Sequence, residues 1–284
     1  MAIFSNQASL TYKGTTTNSN VAYGEILEVL SVTKTSIEGS YVPGGLVTYA
    51  ITLRNTGTSA LGSVTLTDNL GGYVLDGTTV YPLTYEEDTV ALFVGGVLQP
   101  TPAVTAGPPL VIGGINIPGG SDAVLVYQAR ANGYAYPGPD GTVINTVSAS
   151  GTGLSAPVTA TETVTARIAP SLSVLKSISP SQVVDNDRVT YTFVIQNLGN
   201  QEVVATDNAI ISDLFDPILS ALTVTFNGTT WTEGVEYNYD QASGQFTSTE
   251  GQIVVPAATY TRDAVTGEYT ATPGVATLVI TGTI

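Results

Sequence analysis

The lysines of this chain are its most promising residues for chemistry. There are only three, Lys13, Lys34 and Lys176, and the last two lie in segments that alternate apolar and polar residues. If these segments are extended strands, both amines share a face with leucine and valine side chains, because successive side chains of a strand point to opposite sides. An unpaired charge in a protein core costs several kcal/mol, so each amine must be paired, neutralised or consumed in a reaction.

Inward-facing acids and an amide accompany these lysines. Asp68, Asp213 and Asn145 each lie beside apolar residues of the same alternating frame. Burial lowers the pKa of a lysine and raises that of an aspartic acid, so a neutral amine can attack an amide carbonyl that a protonated carboxyl polarises. Ammonia leaves, and a lysine–asparagine isopeptide bond remains. We therefore expect an internal bond from Lys34 to Asn145, assisted by Asp68.

Two alternatives are open at these positions. Each lysine could form only an ion pair with its aspartate, while the asparagine caps a local backbone group. Asp207 competes with Asp213 as the partner of Lys176, because both follow the same Asn-Leu-Gly turn. The repetition of the residue types in two places favours bond formation over ion pairing alone.

An internal repeat supplies the elements that position these residues. The segment SVTKTSIEGSYVPGGLVTYAITLRNTG aligns with the later segment SVLKSISPSQVVDNDRVTYTFVIQNLG. Lys34 and Tyr49 are 15 positions apart, as are Lys176 and Tyr191. The chain therefore contains two copies of one domain.

The second copy is predicted to lack its last strand. In the first copy the chain continues into a strand that carries Asn145, whereas the corresponding position of the second copy falls beyond Ile284. The opening segment has the alternating frame of that strand and also carries an asparagine. If it is extended, the residues that share one face are Phe4, Asn6, Ala8, Leu10 and Tyr12.

An incomplete sandwich exposes unpaired backbone and apolar side chains, so something must cover it. A strand supplied by another molecule is the known remedy. We expect residues 1–13 to complete the second domain of a neighbouring subunit, with Asn6 linked to Lys176 of that neighbour and the neighbour's Asp213 assisting. Donor and acceptor then lie in different parts of the chain, which gives a head-to-tail fibre. The alternative is that the N-terminus folds back onto its own second domain as a closed monomer.

Composition excludes several classes of function. The net charge is −15, from 23 acidic and 8 basic residues, so a nucleic acid or an anionic membrane would repel the chain. Without cysteine or histidine, thiol chemistry and ordinary zinc sites are excluded, and we expect no cofactor and no metal. No apolar run is long enough for a membrane span, and the opening residues lack the features of a signal peptide.

The fold class expected from these patterns is all-β. Short runs of Val, Thr, Ile and Tyr alternate with a period of two between Gly and Pro turns, which is typical of β-sandwiches. We predict two tandem Ig-like β-sandwich domains, of which the second lacks its last strand. The predicted segments are a donor strand at 1–13, a flexible connector at 14–23, the first domain at 24–150, an interdomain strand or linker at 151–170, and the second domain at 171–284.

The repeat also resembles a known family. The residues that carry the resemblance are Lys34-Thr35, 49–57, 64–68 and Asn145-Thr146, and it covers most of residues 24–284 in two copies. It is similar to a conserved Ig-like repeat of bacterial surface proteins whose function is not known, and to Gram-positive pilin and adhesin domains with internal isopeptide bonds. The resemblance implies Lys, Asn and acidic residues in the roles given above, at the surface of a bacterial cell or spore.

The expected function is that of a structural subunit of an extracellular bacterial fibre, either a pilus or a spore appendage. Its partners are further copies of itself, with a possible tip or base protein, and neither nucleic acid nor membrane insertion. Each bond forms once, on the protein itself, so no enzyme with turnover is expected. The alternatives are an adhesin or spacer module that binds a host or glycan ligand, and a secreted glycan-active enzyme.

Overall fold

The computed structural model describes residues 2–26 and 28–284, and within them the chain is built from β-strands. The only helix among these residues is a single 3-10 turn, Ala205–Asp207. The prediction of an all-β fold is therefore confirmed. Met1 and Leu27, which fall inside the expected donor strand and first domain, lie outside the described residues.

The first strands form an antiparallel hairpin, which we name the N-terminal arm (residues 2–26) and in which residues 3–23 are exposed. Its strands are β1 (Ala2–Asn6), β2 (Ser9–Tyr12), β3 (Thr15–Asn18) and β4 (Ala22–Ile26). β1 pairs with β4, and β2 pairs with β3 around Lys13 and Gly14. Both turn residues have positive φ, 48° and 79°, as a tight two-residue hairpin requires. The expected flexible connector at 14–23 is therefore wrong, because most of it is the returning half of this hairpin.

Two compact units make up the chain, and the first comprises the residues up to Ala135 together with Thr142–Thr165. The strands after the arm are β5 (Leu30–Ser36), β6 (Ser40–Tyr41), β7 (Leu46–Asn55), β8 (Leu61–Asp68), β9 (Tyr73–Leu75), β10 (Thr78–Val80), β11 (Leu83–Tyr85), β12 (Ala91–Val94), β13 (Val97–Leu98), β14 (Ala103–Thr105), β15 (Leu110–Ile117), β16 (Asp122–Ala131), β17 (Thr142–Thr152) and β18 (Val158–Ala166). One sheet of this unit has the order β13-β12-β16-β7-β5, with β11 also on β16, and the other has the order β14-β15-β8-β17-β18-β6. β9 and β10 pair separately.

The second unit comprises Tyr136–Gly141 and Ala166–Ile284. Its strands are β19 (Leu172–Ser179), β20 (Arg188–Asn197), β21 (Ser212–Leu214), β22 (Ser220–Phe226), β23 (Thr229–Trp231), β24 (Tyr237–Asp240), β25 (Gln245–Ser248), β26 (Thr259–Arg262), β27 (Tyr269–Thr272) and β28 (Gly274–Thr283). The larger sheet has the order β19-β20-β28-β22-β23, the smaller sheet has the order β21-β25-β24, and β26 pairs with β27. Aromatic and aliphatic side chains, among them Phe215, Phe246 and Leu278, form its core.

The two units repeat the same strand pairing. In the first unit β5 pairs with β7 so that Lys34 lies opposite Ile51, and in the second β19 pairs with β20 so that Lys176 lies opposite Phe193. The strand that follows on the other side is β16 in the first unit and β28 in the second. The tandem repeat predicted from the sequence is thus present as two equivalent strand triplets.

The units differ where β17 and β18 lie. In the first unit β8 is paired on both sides, with β15 and β17, whereas β21 of the second unit is paired only with β25. The described residues of the second unit include no counterpart of β17 or of β18. The gap is therefore wider than the single missing strand that the sequence predicted.

The boundaries of the domains also differ from those expected. β18 pairs with β17 along its whole length, so most of the segment 151–170 belongs to the sheet of the first unit. This unit ends at Thr165 instead of residue 150, and the short segment 136–141 falls in the second unit. The sequence suggested an earlier end because the Gly-rich turn after residue 150 resembles a linker.

Candidate isopeptide centres

Lys34 and Asp68 form a buried pair in the first unit. β5 presents Lys34 to the inside of the sandwich, and β8 ends at Asp68 on the facing sheet. The Lys34 Nζ donates to Asp68 Oδ2 at 2.5 Å, and the two side chains are 0% and 2% exposed. The structure thus brings these two side chains together inside the sandwich.

Burial controls the charge of the Lys34 amine. Removal from water lowers the pKa of Lys34 to about 8, although the negative charge of Asp68 acts in the opposite direction. A lysine in water has a pKa near 10.4. A far larger fraction of Lys34 is therefore the neutral amine at physiological pH, which is the form that can attack a carbonyl.

Asn145 reaches the same centre from β17. Its Nδ2 donates to the hydroxyl of Tyr127 at 3.0 Å, and among the described residues its Oδ1 has no hydrogen-bond partner. The buried Asn55 is different, because its Nδ2 donates to the carbonyls of Ser59 and Ile117 and its Oδ1 accepts from the amide of Gly57. Asn55 thus fixes a turn, whereas the amide of Asn145 caps no backbone group.

Tyr127 completes the first centre, although its position in the sequence gave no chemical reason to single it out. This residue of β16 donates its hydroxyl hydrogen to Asp68 Oδ2 at 2.6 Å. Burial raises the pKa of Tyr127 well above its usual value, so the phenol stays neutral. Its alternation with apolar residues in AVLVYQA marks it as inward-facing, but an inward tyrosine is ordinarily a packing residue.

Lys176 and Asp213 form the equivalent pair of the second unit. The Lys176 Nζ donates to Asp213 Oδ2. Asp207, the competing acid, instead accepts from the backbone amide of Val204 beside the 3-10 turn. The ring centroids of Tyr191, Phe193 and Phe215 lie 4.7, 5.4 and 5.3 Å from the amine.

The second pair is open to solvent. The side chain of Lys176 is 40% exposed, whereas that of Lys34 is fully covered. Every residue of β19 is exposed, although the matching strand β5 buries Leu30 and Lys34. The exposed apolar side chains on the face of Lys176 are those of Leu172, Val174 and Ile178, at 47%, 55% and 43% exposure.

Asn6, the expected third member of the second centre, lies on β1 of the N-terminal arm opposite Ala22. The other residues expected on the donor face, Phe4, Ala8, Leu10 and Tyr12, are exposed on the same arm. Phe4 lies across Gly24, where a side chain would approach the ring within 2.3 Å. The arm therefore presents its apolar residues to solvent.

Two further features of the described residues concern partners. Within residues 2–26 and 28–284, no group of three or more acidic side chains is arranged to hold a metal ion. The same part of the chain has no helix with the length and apolar character needed to cross a membrane.

Comparison with known proteins gives distant likenesses in structure. No protein-family model matches the chain, and no curated protein matches it. It is similar to the major pilin subunit BcpA of Bacillus cereus, with 10% identity and a TM-score of 0.39, over 96% of this chain and 73% of that one. It is also similar to the full-length major pilin SpaD from Corynebacterium diphtheriae, with 10% identity and a TM-score of 0.36 over 85% of this chain. The collagen-binding domain from a Staphylococcus aureus adhesin has 12% identity and a TM-score of 0.31, over 48% of this chain and 97% of that domain. The chain spans 58% of the length of SpaD.

Proposed function

We propose that this chain is the structural subunit of an extracellular bacterial fibre, in which subunits join head to tail by donor-strand complementation and are then linked by Lys–Asn isopeptide bonds. The observation that carries this proposal is the contrast between the two lysine centres. Lys34 has an asparagine and two covering strands, whereas Lys176 has an equivalent acid and nearby aromatic rings without either.

The second unit has an exposed apolar face that would be stabilised if another element buried it. β19 leaves Leu172, Val174 and Ile178 in solvent, and β21 has a free edge of unpaired backbone groups. Apolar area removed from water contributes roughly 25 cal/mol per Å², so burying three such side chains stabilises an added element by several kcal/mol. A free sheet edge adds a row of backbone hydrogen bonds to that gain.

The N-terminal arm has the sequence and strand register needed to cover this face. On β17 the residue two after Asn145 is Val147, which lies opposite Asp68. If Asn6 takes the place of Asn145, Ala8 lies opposite Asp213, and Leu10 and Tyr12 follow on the same face. The arm then supplies the asparagine that the second centre lacks.

The donated element is the whole hairpin in this proposal, not one strand. Asn145 lies opposite Glu162 of β18, and Glu162 accepts hydrogen bonds from the backbone and hydroxyl of Ser36 at 3.0 and 2.7 Å. Asn6 lies opposite Ala22 in the arm. The position of Ser36 is occupied in the second unit by Ile178. A polar contact in the first unit is thus replaced by an apolar one, which matches β4 as the outer strand.

The donor belongs to one part of the chain and the acceptor to another, so the contact between subunits is heterologous and propagates into a fibre. The linking reaction occurs once for each bond and has no turnover. A homopolymer of this kind works outside the cell, on a cell or spore surface. Tip and base proteins would complete it.

The test is intact mass after boiling in denaturant, followed by mapping of cross-linked peptides. We expect a ladder of multimers, a loss of about 17 Da of ammonia for each bond, and a peptide that joins Lys176 to Asn6. A Lys176→Arg variant keeps the charge but cannot form the bond, and it should keep only the loss from the first unit.

Other outcomes would contradict parts of the proposal. A monomer that has lost two ammonias and contains the Lys176–Asn6 peptide would mean that the arm folds back onto its own chain. A monomer with one loss would restrict the bond to the first unit. A mass without any loss would mean that both lysines form only ion pairs.

A further inference from the structure

Four side chains form one continuous hydrogen-bonded path at the first centre. Lys34 Nζ and the hydroxyl of Tyr127 both donate to Asp68 Oδ2, and Asn145 Nδ2 donates to that same hydroxyl. Asp68 Oδ1 is already engaged by the backbone amide of Leu70 at 3.0 Å. Within the described residues, Asp68 makes no direct hydrogen bond to Asn145. Among these hydrogen bonds, the hydroxyl of Tyr127 is the group that connects the acid to the amide.

We propose that Tyr127 is a catalytic residue of the first isopeptide centre, and that its hydroxyl delivers the proton to the departing amide nitrogen of Asn145. This inference rests on the proposed reaction between Lys34 and Asn145 and assigns a role that the lysine, acid and amide leave unfilled. An amide nitrogen cannot leave as an anion, so protonation must accompany cleavage of its bond to carbon.

The step balances as follows. The Lys34 ammonium gives one proton to Asp68, and the resulting amine forms a bond to Cγ of Asn145. Asp68 returns that proton to the hydroxyl of Tyr127 while the hydroxyl passes its own hydrogen to Nδ2. The bond between Cγ and Nδ2 then breaks, and ammonia leaves with both electrons of that bond. The second proton released by the former amine remains on Asp68 or departs with ammonia as ammonium.

The surroundings of Tyr127 favour this role. Tyr127 and Asn145 are fully buried and Asp68 nearly so, so bulk water does not compete as a proton carrier. The chain has no histidine, which is the side chain that usually transfers protons near neutral pH. A neutral phenol between a carboxylate and an amide can accept on one side and donate on the other.

The second centre lacks this hydroxyl. Tyr127 pairs with Tyr49 across β16 and β7, and the equivalent partner of Tyr191 is Ile280. The two bonds are therefore expected to form at different rates, with the bond of the first unit forming sooner. Each subunit would then be locked internally before it is linked to its neighbour.

The experiment follows ammonia loss in the first unit during refolding. The full chain is isolated unfolded in urea with an unmodified mass, diluted into buffer, and analysed by intact mass over time for wild type, Tyr127→Phe and Tyr73→Phe. The control removes a comparable phenol hydrogen bond in the same unit, from Tyr73 to the carbonyl of Tyr134 at 3.0 Å. We expect Tyr127→Phe to be slower by about 10²-fold or more, as for loss of a general acid, and Tyr73→Phe to match wild type.

Folding of each variant is checked by near-ultraviolet circular dichroism. If Tyr127→Phe does not fold, 3-fluorotyrosine is placed at position 127, where it keeps the hydroxyl but makes it a stronger acid. The rate should then change by about threefold or more. An unchanged rate at every pH in the fluorinated protein, or a wild-type rate in folded Tyr127→Phe, would overturn the role of Tyr127 while leaving the bond itself in place. A wild type that never loses ammonia in the first unit would overturn both the bond and this inference.

Discussion

Lys34 and Lys176 occupy the same position of the repeat in different surroundings. Lys34 has lost its water, and its pKa falls to about 8, whereas Lys176 remains 40% exposed. Aromatic rings flank both amines, with Tyr49 at 4.7 Å from the first and Tyr191 at 4.7 Å from the second. The two lysines differ in whether other strands bury them. The second lysine is therefore expected to react only when another element covers it.

The rate of bond formation in the first unit should depend on pH through the Lys34 amine. Because the proposed step passes the proton of the Lys34 ammonium to Asp68 and on to the leaving nitrogen, the rate should be level between pH 6 and about 8 and fall by about tenfold per pH unit above that. Refolding from urea between pH 6 and 9, with intact mass as the measure, gives this profile. A rate that stays level up to pH 9 would mean that burial does not lower the pKa of Lys34, and a rate that rises with pH would mean that the proton for the leaving group does not come from Lys34.

Asn145→Ala should prevent the internal bond and weaken the first unit. A cross-link that closes a loop of this length stabilises by about 4–5 kcal/mol in the chain-entropy model developed for disulfides. We expect no loss of ammonia in this unit and a clearly lower midpoint of unfolding in guanidinium chloride. Thr146→Ala is the control, because its hydroxyl contacts Thr161 away from the centre. An unchanged midpoint for Asn145→Ala would argue against a bond.

Candidate site residues could be predicted from the sequence only where the alternation along a strand or the internal repeat distinguishes them. The alternation of side chains along the strands singled out Lys34, Asp68 and Asn145, because charged and amide side chains are unusual on the apolar face of a strand. Tyr127 was missed because an apolar face accepts a tyrosine without any chemical reason. The sequence favoured Asp213 but left Asp207 as a competitor, since the same turn precedes both and the path of the backbone decides which acid lies against Lys176.

At the level of strands and hairpins, the N-terminal arm and the β17–β18 hairpin are the related elements. Both carry an asparagine on the first strand, and both pair it with a returning strand. The β17–β18 hairpin is packed into the first unit, whereas residues 3–23 of the arm are exposed. A two-stranded hairpin alone is only marginally stable in water, so the arm is expected to gain most of its stability when it docks.

Leu10→Asp should stop assembly, whereas Thr11→Asp should not. Both side chains are exposed in the subunit, so neither change should alter its fold. In the proposed register Leu10 faces the apolar interior of the acceptor beside Ile211, where a carboxylate would lose its water without gaining a partner. Electron microscopy for fibres and size-exclusion chromatography distinguish the variants. Normal fibres from Leu10→Asp would show that this face is not the buried one.

A peptide experiment separates a hairpin donor from a single strand. A subunit without residues 2–26 is mixed with a synthetic peptide of residues 2–12 or of residues 2–26, both of which contain Asn6. We expect the longer peptide to form the larger amount of covalent adduct with Lys176, because only it supplies the outer strand against Ile178. Equal adduct from both peptides would restrict the donor to its first strand.

The elements were only partly predictable from the sequence. Strands with clear alternation were found, because half-buried strands require it. The connector at 14–23 was misassigned because GTTTNSN is polar throughout, and an exposed returning strand has no apolar face to reveal it. β18 is a different case, because Val158, Ala160 and Val164 alternate with threonine, but the Gly-rich turn before the strand resembles a linker.

On the scale of the whole molecule, the proposal separates assembly from locking. Docking of the arm depends on apolar burial and backbone pairing. The resistance of the fibre to dissociation depends on the isopeptide bond between Lys176 and Asn6. The acidic charge of the chain, −15, gives subunits a mutual repulsion that is screened over roughly 10 Å at ordinary salt concentrations. Fibres held by docking alone should therefore be reversible, and linked fibres should not.

Asn6→Ala should leave assembly intact and remove its permanence. Fibres are expected to form, because alanine fits the donor face, but they should dissociate into monomers on boiling in denaturant. Asn20→Ala, in the exposed turn region of the same arm, is the control and should keep the multimer ladder. A ladder that survives in Asn6→Ala would mean that Lys176 reacts with a different side chain.

The positions of the two linked asparagines also determine how a fibre would respond to pulling. The covalent path enters at Asn6, follows the backbone to Lys34, crosses to Asn145, continues to Lys176 and passes to the next subunit. Residues 35–144, which hold most of the first unit, lie outside that path. Mechanical tension would therefore bypass them, and the first unit would stay folded while a stretched fibre transmits force between neighbours.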